Sequence, residues 1–141
     1  TTNWFRTFFQ IPYVPEEVAR WGNWWLLSNS LRNTAKPGAF SEEKLDLYRS
    51  AWDRDGAFGK GVNWYRAAFA FHREQPAPRR VAVPTLILVA AHDAFIPSDL
   101  TRASAQLLDA GTLVELGSGT HWVVQEEPAR IAHLLAEFFA K

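Results

Sequence analysis

The sequence predicts an α/β fold in which a helical part precedes two parallel strands with their helices. The chain has 141 residues, of which 48% are hydrophobic, so it is long enough for one ordinary domain with a core. Residues 81–141 alternate between short apolar runs and helical patterns, whereas residues 1–80 show helical patterns alone. Charge divides the chain at the same place, with 12 Lys/Arg and 8 Asp/Glu before residue 81 and 3 and 7 after it. Sixteen of the 20 aromatic residues also lie before residue 81.

The first predicted helix begins at Pro15, which two glutamates follow. Proline has the φ angle that a helix start needs, and acidic charge is favourable beside the positive end of the helix dipole. Val18, Trp21 and Trp25 are expected to share the apolar face of this helix.

Ser41 is expected to cap a second helix, because a serine hydroxyl accepts a hydrogen bond from the first turn. Leu45, Tyr48 and Trp52 recur at helical spacing in that segment, and Gly56 is expected to end it.

The third helical candidate, "VNWYRAAFAFHRE", covers residues 62–74. The proline-rich segment "REQPAPRR" at 73–80 is expected to connect two units. Residues 1–80 and 81–141 are therefore predicted to form separate structural parts.

The second part predicts a strand, a helix, a second strand and a closing helix. The strands are expected in "VAVPTLILVAA" (81–91) and "TLVELG" (112–117), the first as a strand buried on both faces. Ser98 is a candidate cap for the intervening helix, which Gly111 is expected to end. This alternation predicts parallel strands. Each of the two helices in this part is predicted to have an apolar stripe. The stripe of the intervening helix is formed by Leu100, Ala103, Leu107 and Leu108, and that of the closing helix by Ile131, Leu134, Leu135, Phe138 and Phe139.

Two parallel strands cannot make a stable, doubly covered sheet alone. The last sixty residues are therefore expected to be the end of a larger sheet, whose other strands lie outside this chain.

Composition excludes several function classes. The net charge is zero, so neither a nucleic-acid partner nor a membrane surface is expected. The absence of cysteine excludes disulfides and cysteine-bound zinc. The four histidines show no metal-ligand spacing, and His72, His92 and His133 are expected to be surface or structural residues. No targeting segment or apolar run of membrane-spanning length is visible, so a cytoplasmic location is expected, while the oligomeric state is left open.

An acid and a histidine follow the two predicted strands. Asp93 comes just after the first strand, and His121 lies after the second, in the loop "GSGTHW". Catalytic groups gather at the carboxyl ends of parallel strands, so the two side chains are expected to meet there. Asp93 would then orient the imidazole, leaving its other nitrogen as a base. Gly117 and Gly119 allow the tight turn that precedes the histidine.

These motifs resemble the carboxyl-terminal end of an α/β-hydrolase. The matching stretches are Asp93 to Pro97, a "D-x-x-x-P" loop, and Gly119 to Trp122 followed by Glu127–Pro128. The family's chain order is nucleophile, acid, histidine, which places the nucleophile upstream of Asp93. No G-x-S-x-G or aspartate elbow stands there. The resemblance therefore implies the second half of a longer hydrolase, which is inactive without its amino-terminal half.

In this superfamily a helical cap precedes the acid-bearing strand, and residues 1–80 fall in that place. The stretches "WFRTFFQIPYVPE" and "GVNWYRAAF" resemble the cap motifs of soluble epoxide hydrolases. The resemblance implies that Tyr65 of "N-W-Y-R" hydrogen-bonds the epoxide oxygen. Trp122, Trp64, Phe8 and Trp4 are expected to line an apolar substrate pocket.

The predicted function is epoxide opening to a diol through an aspartyl ester, with an apolar small-molecule substrate and without cofactor or metal. The alternatives are a haloalkane or haloacid dehalogenase, a serine esterase, or a fragment without catalytic activity. Many epoxide hydrolases have a second cap tyrosine where this chain offers only Phe5, Phe8 and Phe9, which keeps the dehalogenase alternative open.

Overall fold

The computed structural model of the chain describes residues 4–70 and 79–140. The predictions for His72, for residues 71–74 of the third helix and for most of the 73–80 connection lie outside these residues. The helices of the described part are α1 (Trp4–Phe8), α2 (Val14–Thr34), α3 (Glu42–Trp52), α4 (Ala57–Ala70), α5 (Ser98–Ala105), α6 (Val123–Glu126) and α7 (Pro128–Phe139), and the strands are β1 (Thr85–Ala90) and β2 (Gly111–Leu116).

The described residues divide into two compact units. The helical unit comprises residues 4–33 and 40–70, and the α/β unit comprises residues 34–39 and 79–140. Residues 34–39 precede the predicted connection by some distance in the sequence, yet they pack with the carboxyl-terminal residues. The assignment of residues 1–80 to a cap and of 81–141 to a hydrolase core stays a prediction.

Helix α2 corrects the predicted apolar face. Trp21 to Trp24 are not helical, and φ is positive at Gly22, Asn23 and Trp24. This left-handed turn changes the direction of the helix, so the periodicity does not continue across it. Trp21 and Trp25, predicted to share one face with Val18, are 74% and 55% exposed, and Val18 is exposed as well. Trp24 is buried instead, and its ring packs against two aromatic rings of the same unit.

Helix α3 confirms the serine cap. The Ser41 hydroxyl accepts a hydrogen bond from the backbone N–H of Lys44 at 3.3 Å, and Leu45 is completely buried. The helix ends at Trp52, before the predicted stop at Gly56. Gly56 instead lies in the turn before α4 with φ of +65°, a conformation that costs glycine little. Helix α4 begins at Ala57, earlier than predicted.

The two strands are parallel neighbours, as the strand–helix–strand pattern predicts. Their register runs from Thr85 opposite Gly111 to Ala90 opposite Leu116. Leu116, Val123 and Ile131 are buried together in one hydrophobic cluster of the unit. Leu88, Val114 and Leu134 pack against them. Val89 of β1 is 1% exposed and the other five residues of the strand are partly buried, so none of its residues is exposed.

The helices of the α/β unit differ from the sequence pattern at their ends. Ser98 is the first residue of α5 and makes no cap; its hydroxyl accepts a hydrogen bond from Arg102 at 3.2 Å. The helix ends at Ala105, and Gly111 opens β2 instead of ending a helix. The predicted stripe therefore does not form along one helix, and Leu100 is 60% exposed.

The closing helix differs from its predicted apolar face. Glu126 belongs to the short helix α6, and α7 starts at Pro128. Ile131 is buried in the core, whereas Phe139 is 78% exposed. None of the helices in the described part of the chain is long and apolar enough to cross a membrane.

The core of the α/β unit predicts a difference between two leucines of β2. Leu116 is fully buried and Leu113 is 37% exposed. We expect Leu116→Ala to lower the free energy of unfolding by about 2–5 kcal/mol, because it leaves a cavity among well-packed neighbours. Leu113→Ala, the same chemical change on the same strand, should cost clearly less. Urea denaturation of both variants measures the difference, and equal losses would contradict this description of the core.

Candidate active site

The parallel register brings two loops to the same end of the sheet. Ala90 and Leu116, the last residues of their strands, are direct partners. The loops that follow are joined by a hydrogen bond from the backbone N–H of His92 to the carbonyl of Gly119 at 2.9 Å. Gly119 is buried there, and a Cβ on it would lie 2.8 Å from Cγ2 of Val123. A residue with a side chain would therefore clash at this position.

Asp93 and His121 meet between these loops. Nδ1 of His121 lies 2.9 Å from Oδ2 of Asp93. The other carboxylate oxygen, Oδ1, accepts hydrogen bonds from the backbone N–H groups of Phe95 at 2.8 Å and Ile96 at 2.9 Å. The Asp93 side chain is 13% exposed and that of His121 is 33% exposed. The contact that the sequence predicts is present, and the carboxylate is held on both of its oxygens.

The donors around Asp93 keep its carboxyl group ionised. Burial by itself raises the pKa of Asp93, but hydrogen bonds from Ile96, His121 and Phe95 more than offset burial and hold the pKa below its usual value. An ionised carboxylate only accepts hydrogen bonds, so Nδ1 of His121 is the donor. The lone pair of the neutral imidazole is therefore on Nε2, which is the nitrogen that can accept a proton.

Aromatic rings surround the imidazole of His121. The ring of Phe95 lies 4.8 Å from it and the ring of Trp122 lies 5.0 Å from it. The indole Nε1–H of Trp122 donates to the hydroxyl of Thr34 at 2.8 Å. The sequence predicts Trp122 at this site. It does not predict Phe95, although Phe95 lies in the loop that follows Asp93.

The other predicted site residues lie in the helical unit. Tyr65 is on α4 with 39% of its surface exposed, and its ring packs against those of Phe5 at 5.7 Å and Phe9 at 5.0 Å. Trp4 and Phe8 contact each other at 5.7 Å on α1. Trp64, at 82% exposure, is the most exposed of the predicted residues. The roles of all of these residues in substrate binding stay predictions.

Hydrogen bonds tie the two predicted cap motifs to each other. The guanidinium of Arg66, next to Tyr65, binds both carboxylate oxygens of Glu16 at 2.6 and 3.1 Å. It also donates to the carbonyls of Phe9 at 2.9 Å and Ile11 at 3.0 Å. The hydrogen bond from Arg66, against a smaller effect of burial, lowers the pKa of Glu16. No pattern in the sequence predicts this contact beyond the two motifs themselves.

Among residues 4–70 and 79–140, no group of three or more histidine or acidic side chains is arranged to hold a metal ion.

The depressed pKa of Asp93 predicts a pH dependence of stability. A carboxylate whose folded-state pKa lies below the unfolded value of about 3.9 stabilises the protein above that pH, and the contribution is lost as the pH falls through the folded-state pKa. We expect Asp93→Asn to lower the free energy of unfolding by about 1–3 kcal/mol at neutral pH. The difference in the free energy of unfolding between this variant and the wild type should become smaller below about pH 4.

Denaturation across this pH range measures the effect, with the exposed Asp55→Asn as the control. A gap that is constant with pH would show that the charge of Asp93 adds nothing to folding.

Comparisons with known proteins give the fold and its relatives. No family model matches the chain. The AB hydrolase superfamily protein YfhM of Bacillus subtilis is 27% identical over 131 residues, which cover 93% of this chain and 46% of that protein. Epoxide hydrolase 1 of Caenorhabditis elegans is 25% identical over 144 residues, which cover 99% of this chain and 35% of that protein. The crystal structure of the Bacillus megaterium epoxide hydrolase with an inhibitor superposes with a TM-score of 0.82, at 15% identity, over 99% of this chain and 52% of that one.

The chain thus spans less than half the length of these two curated relatives and about half of the solved structure. Its two parallel strands with helices belong to the α/β-hydrolase fold. The resemblance that the motifs predict is confirmed: in sequence and in fold, this chain is similar to the carboxyl-terminal half of an epoxide-hydrolase-like α/β-hydrolase.

Proposed function

We propose that this chain supplies the base and the epoxide-binding tyrosine of an epoxide hydrolase, an enzyme that adds water to an epoxide to give a diol. The observation that carries the proposal is the contact of 2.9 Å between His121 Nδ1 and Asp93 Oδ2 at the carboxyl end of the paired strands. It leaves Nε2 of His121 as a base whose ring is fixed. Sequence similarity to proteins named as epoxide hydrolases supports the substrate class.

In the first step, an aspartate of the amino-terminal half of the same hydrolase attacks one epoxide carbon. A C–O bond of the ester forms while the ring C–O bond breaks, and the electron pair goes to the leaving oxygen. The phenol of Tyr65 donates a proton to that oxygen, because its O–H group is a donor that stabilises a developing alkoxide. The product of this step is a hydroxyalkyl ester of the enzyme.

In the second step, Nε2 of His121 takes a proton from water as the water oxygen attacks the ester carbonyl. The ester C–O bond breaks, the leaving alkoxide takes the proton of the added hydroxyl, the diol leaves, and the aspartate is regenerated. The proton held by His121 then returns through solvent to the phenolate of Tyr65, so both groups regain their starting forms. Asp93 stabilises the imidazolium that forms, because its carboxylate stays ionised beside Nδ1. All groups in this scheme are side chains or water, so no cofactor or metal takes part.

A second candidate is a dehalogenase with the same aspartate nucleophile. The rings that pack on Tyr65 are those of Phe5 and Phe9, which cannot donate a proton to an epoxide oxygen. Displacement of a halide needs no such donor, so it is compatible with this arrangement. A serine nucleophile in the other half would indicate an esterase, and a chain without that half would be inactive.

The first test removes the base in the full-length protein that carries this chain. We expect His121→Ala to form the aspartyl ester but to hydrolyse it about 10²–10⁴-fold more slowly, because general-base catalysis is lost. Mass spectrometry after a single turnover should then show the protein with the mass of the substrate added. His133→Ala, on the surface of α7, is the matched control and should turn over normally. Normal steady-state turnover by His121→Ala would remove this residue from the mechanism.

The second test separates epoxide opening from halide displacement. We expect Tyr65→Phe to lower the rate of ester formation from an epoxide by about 10²–10³-fold, the usual effect of losing one donor to a developing oxyanion. Stopped-flow measurement with an epoxide and with a haloalkane of similar size makes the comparison. Tyr48→Phe, the same change on α3, is the control. Unchanged epoxide opening in Tyr65→Phe would contradict the role of the tyrosine.

A further inference from the structure

Two adjacent glutamates, Glu126 and Glu127, hold the loop that carries His121. The carboxylate of Glu126 accepts hydrogen bonds from the backbone N–H of Thr120 at 3.0 Å and from that of Lys36 at 2.8 Å. It also accepts one from the hydroxyl of Thr120. Glu127 accepts from Nζ of Lys36 at 2.7 Å and from the hydroxyl of Ser118 at 3.0 Å. Neither glutamate takes part in the reaction described above.

The contacts of Glu126 reach both neighbours of His121 in the sequence. Thr120 is bound through its N–H and its hydroxyl. The same hydroxyl oxygen accepts the backbone N–H of Trp122 at 3.2 Å. Because the hydroxyl donates its single proton to Glu126, it is free to accept from Trp122. The backbone on either side of the histidine is thus connected to one carboxylate.

Both glutamates are ionised in the range where a neutral imidazole acts as a base. Burial raises the pKa of Glu126, but hydrogen bonds from Thr120 and Lys36 more than offset burial and hold it below its usual value. The hydrogen bonds from Lys36, Arg130 and Ser118 lower the pKa of Glu127 to about 2. The two carboxylates that hold the loop therefore keep their negative charge at neutral pH.

We propose that Glu126 is a positioning residue for the water-activating step: it fixes the backbone around His121 so that Nδ1 meets Asp93 and Nε2 points to the ester. The inference rests on the proposed function. The histidine lies at the end of a glycine-containing turn that does not by itself hold the ring in place. The hydrogen bond between Nδ1 and Asp93 orients the ring, and the contacts of Glu126 fix the backbone to which the ring is attached.

The test compares Glu126→Ala and Glu126→Gln with Glu137→Gln in the full-length protein. Glu137 is an exposed glutamate on α7 and serves as the control. In Glu126→Ala we expect ester hydrolysis to slow by roughly ten- to a hundredfold, as small misplacements of a catalytic group do. Glu126→Gln keeps one acceptor oxygen, so it should slow ester hydrolysis less than Glu126→Ala does. Ester formation should keep its rate, so kcat and KM should fall together while kcat/KM stays constant.

A spectroscopic signature separates positioning from general destabilisation. The proton shared between Nδ1 of His121 and Asp93 gives a downfield NMR resonance, which we expect to shift or broaden in Glu126→Ala and not in Glu137→Gln. Thr120→Val removes only the hydroxyl between Glu126 and Trp122 and preserves the side-chain shape. It provides a second variant with the same expected kinetic pattern if Glu126→Ala does not fold.

The outcomes distinguish the two proposals. Wild-type ester hydrolysis in a folded Glu126→Ala or Thr120→Val, or an equal loss in both chemical steps, overturns the positioning role. If His121→Ala still traps the ester, the proposed function stands and only this inference fails. If His121→Ala traps no ester and turns over normally, the proposed function itself fails.

Discussion

The parallel pairing of β1 with β2 is the constraint on which the site depends. Its register ends with Ala90 opposite Leu116, so the chain leaves both strands at the same edge of the sheet. This pairing brings the acid loop and the histidine loop together, although Asp93 and His121 are 28 positions apart in the sequence. The buried cluster around Leu116 keeps the second strand in place. Packing behind the sheet and chemistry at its edge are therefore linked through one pair of strands.

Three carboxylates near the histidine are each stabilised by nearby hydrogen-bond donors. A partly buried carboxylate is costly unless hydrogen-bond donors replace water. Asp93 and Glu126 each accept from backbone N–H groups of a loop, so the loop's unpaired donors and the carboxylate's acceptors satisfy one another. Glu127 is held by the cation of Lys36. The charges thereby give the loops a defined shape that their glycines alone do not provide.

The helical unit uses the same principle around Arg66. Its guanidinium joins Glu16 and two loop carbonyls, which locks α4 to residues 9–16. The nitrogen of the Gln10 side chain donates to the carbonyl of Tyr65 at 3.3 Å. Residues of the two sequence motifs, 50 to 57 positions apart, are therefore parts of one contact. This contact explains why the backbone of Tyr65 has a fixed place, independently of what its hydroxyl binds.

The sequence by itself determined the element types, the parallel strands and the meeting of Asp93 with His121, because apolar runs, helical spacing and chain order are local signals that a parallel sheet converts into one position. It failed where the backbone departs from regular geometry, as at Trp21 to Trp24, where a left-handed turn buries Trp24 and exposes two other tryptophans. It also missed Phe95, Glu126 and the packing of residues 34–39 with the carboxyl-terminal unit. Only the tertiary structure decided these, because a carboxylate selects its donors by their position in space, and Lys36 lies ninety residues from Glu126 along the chain.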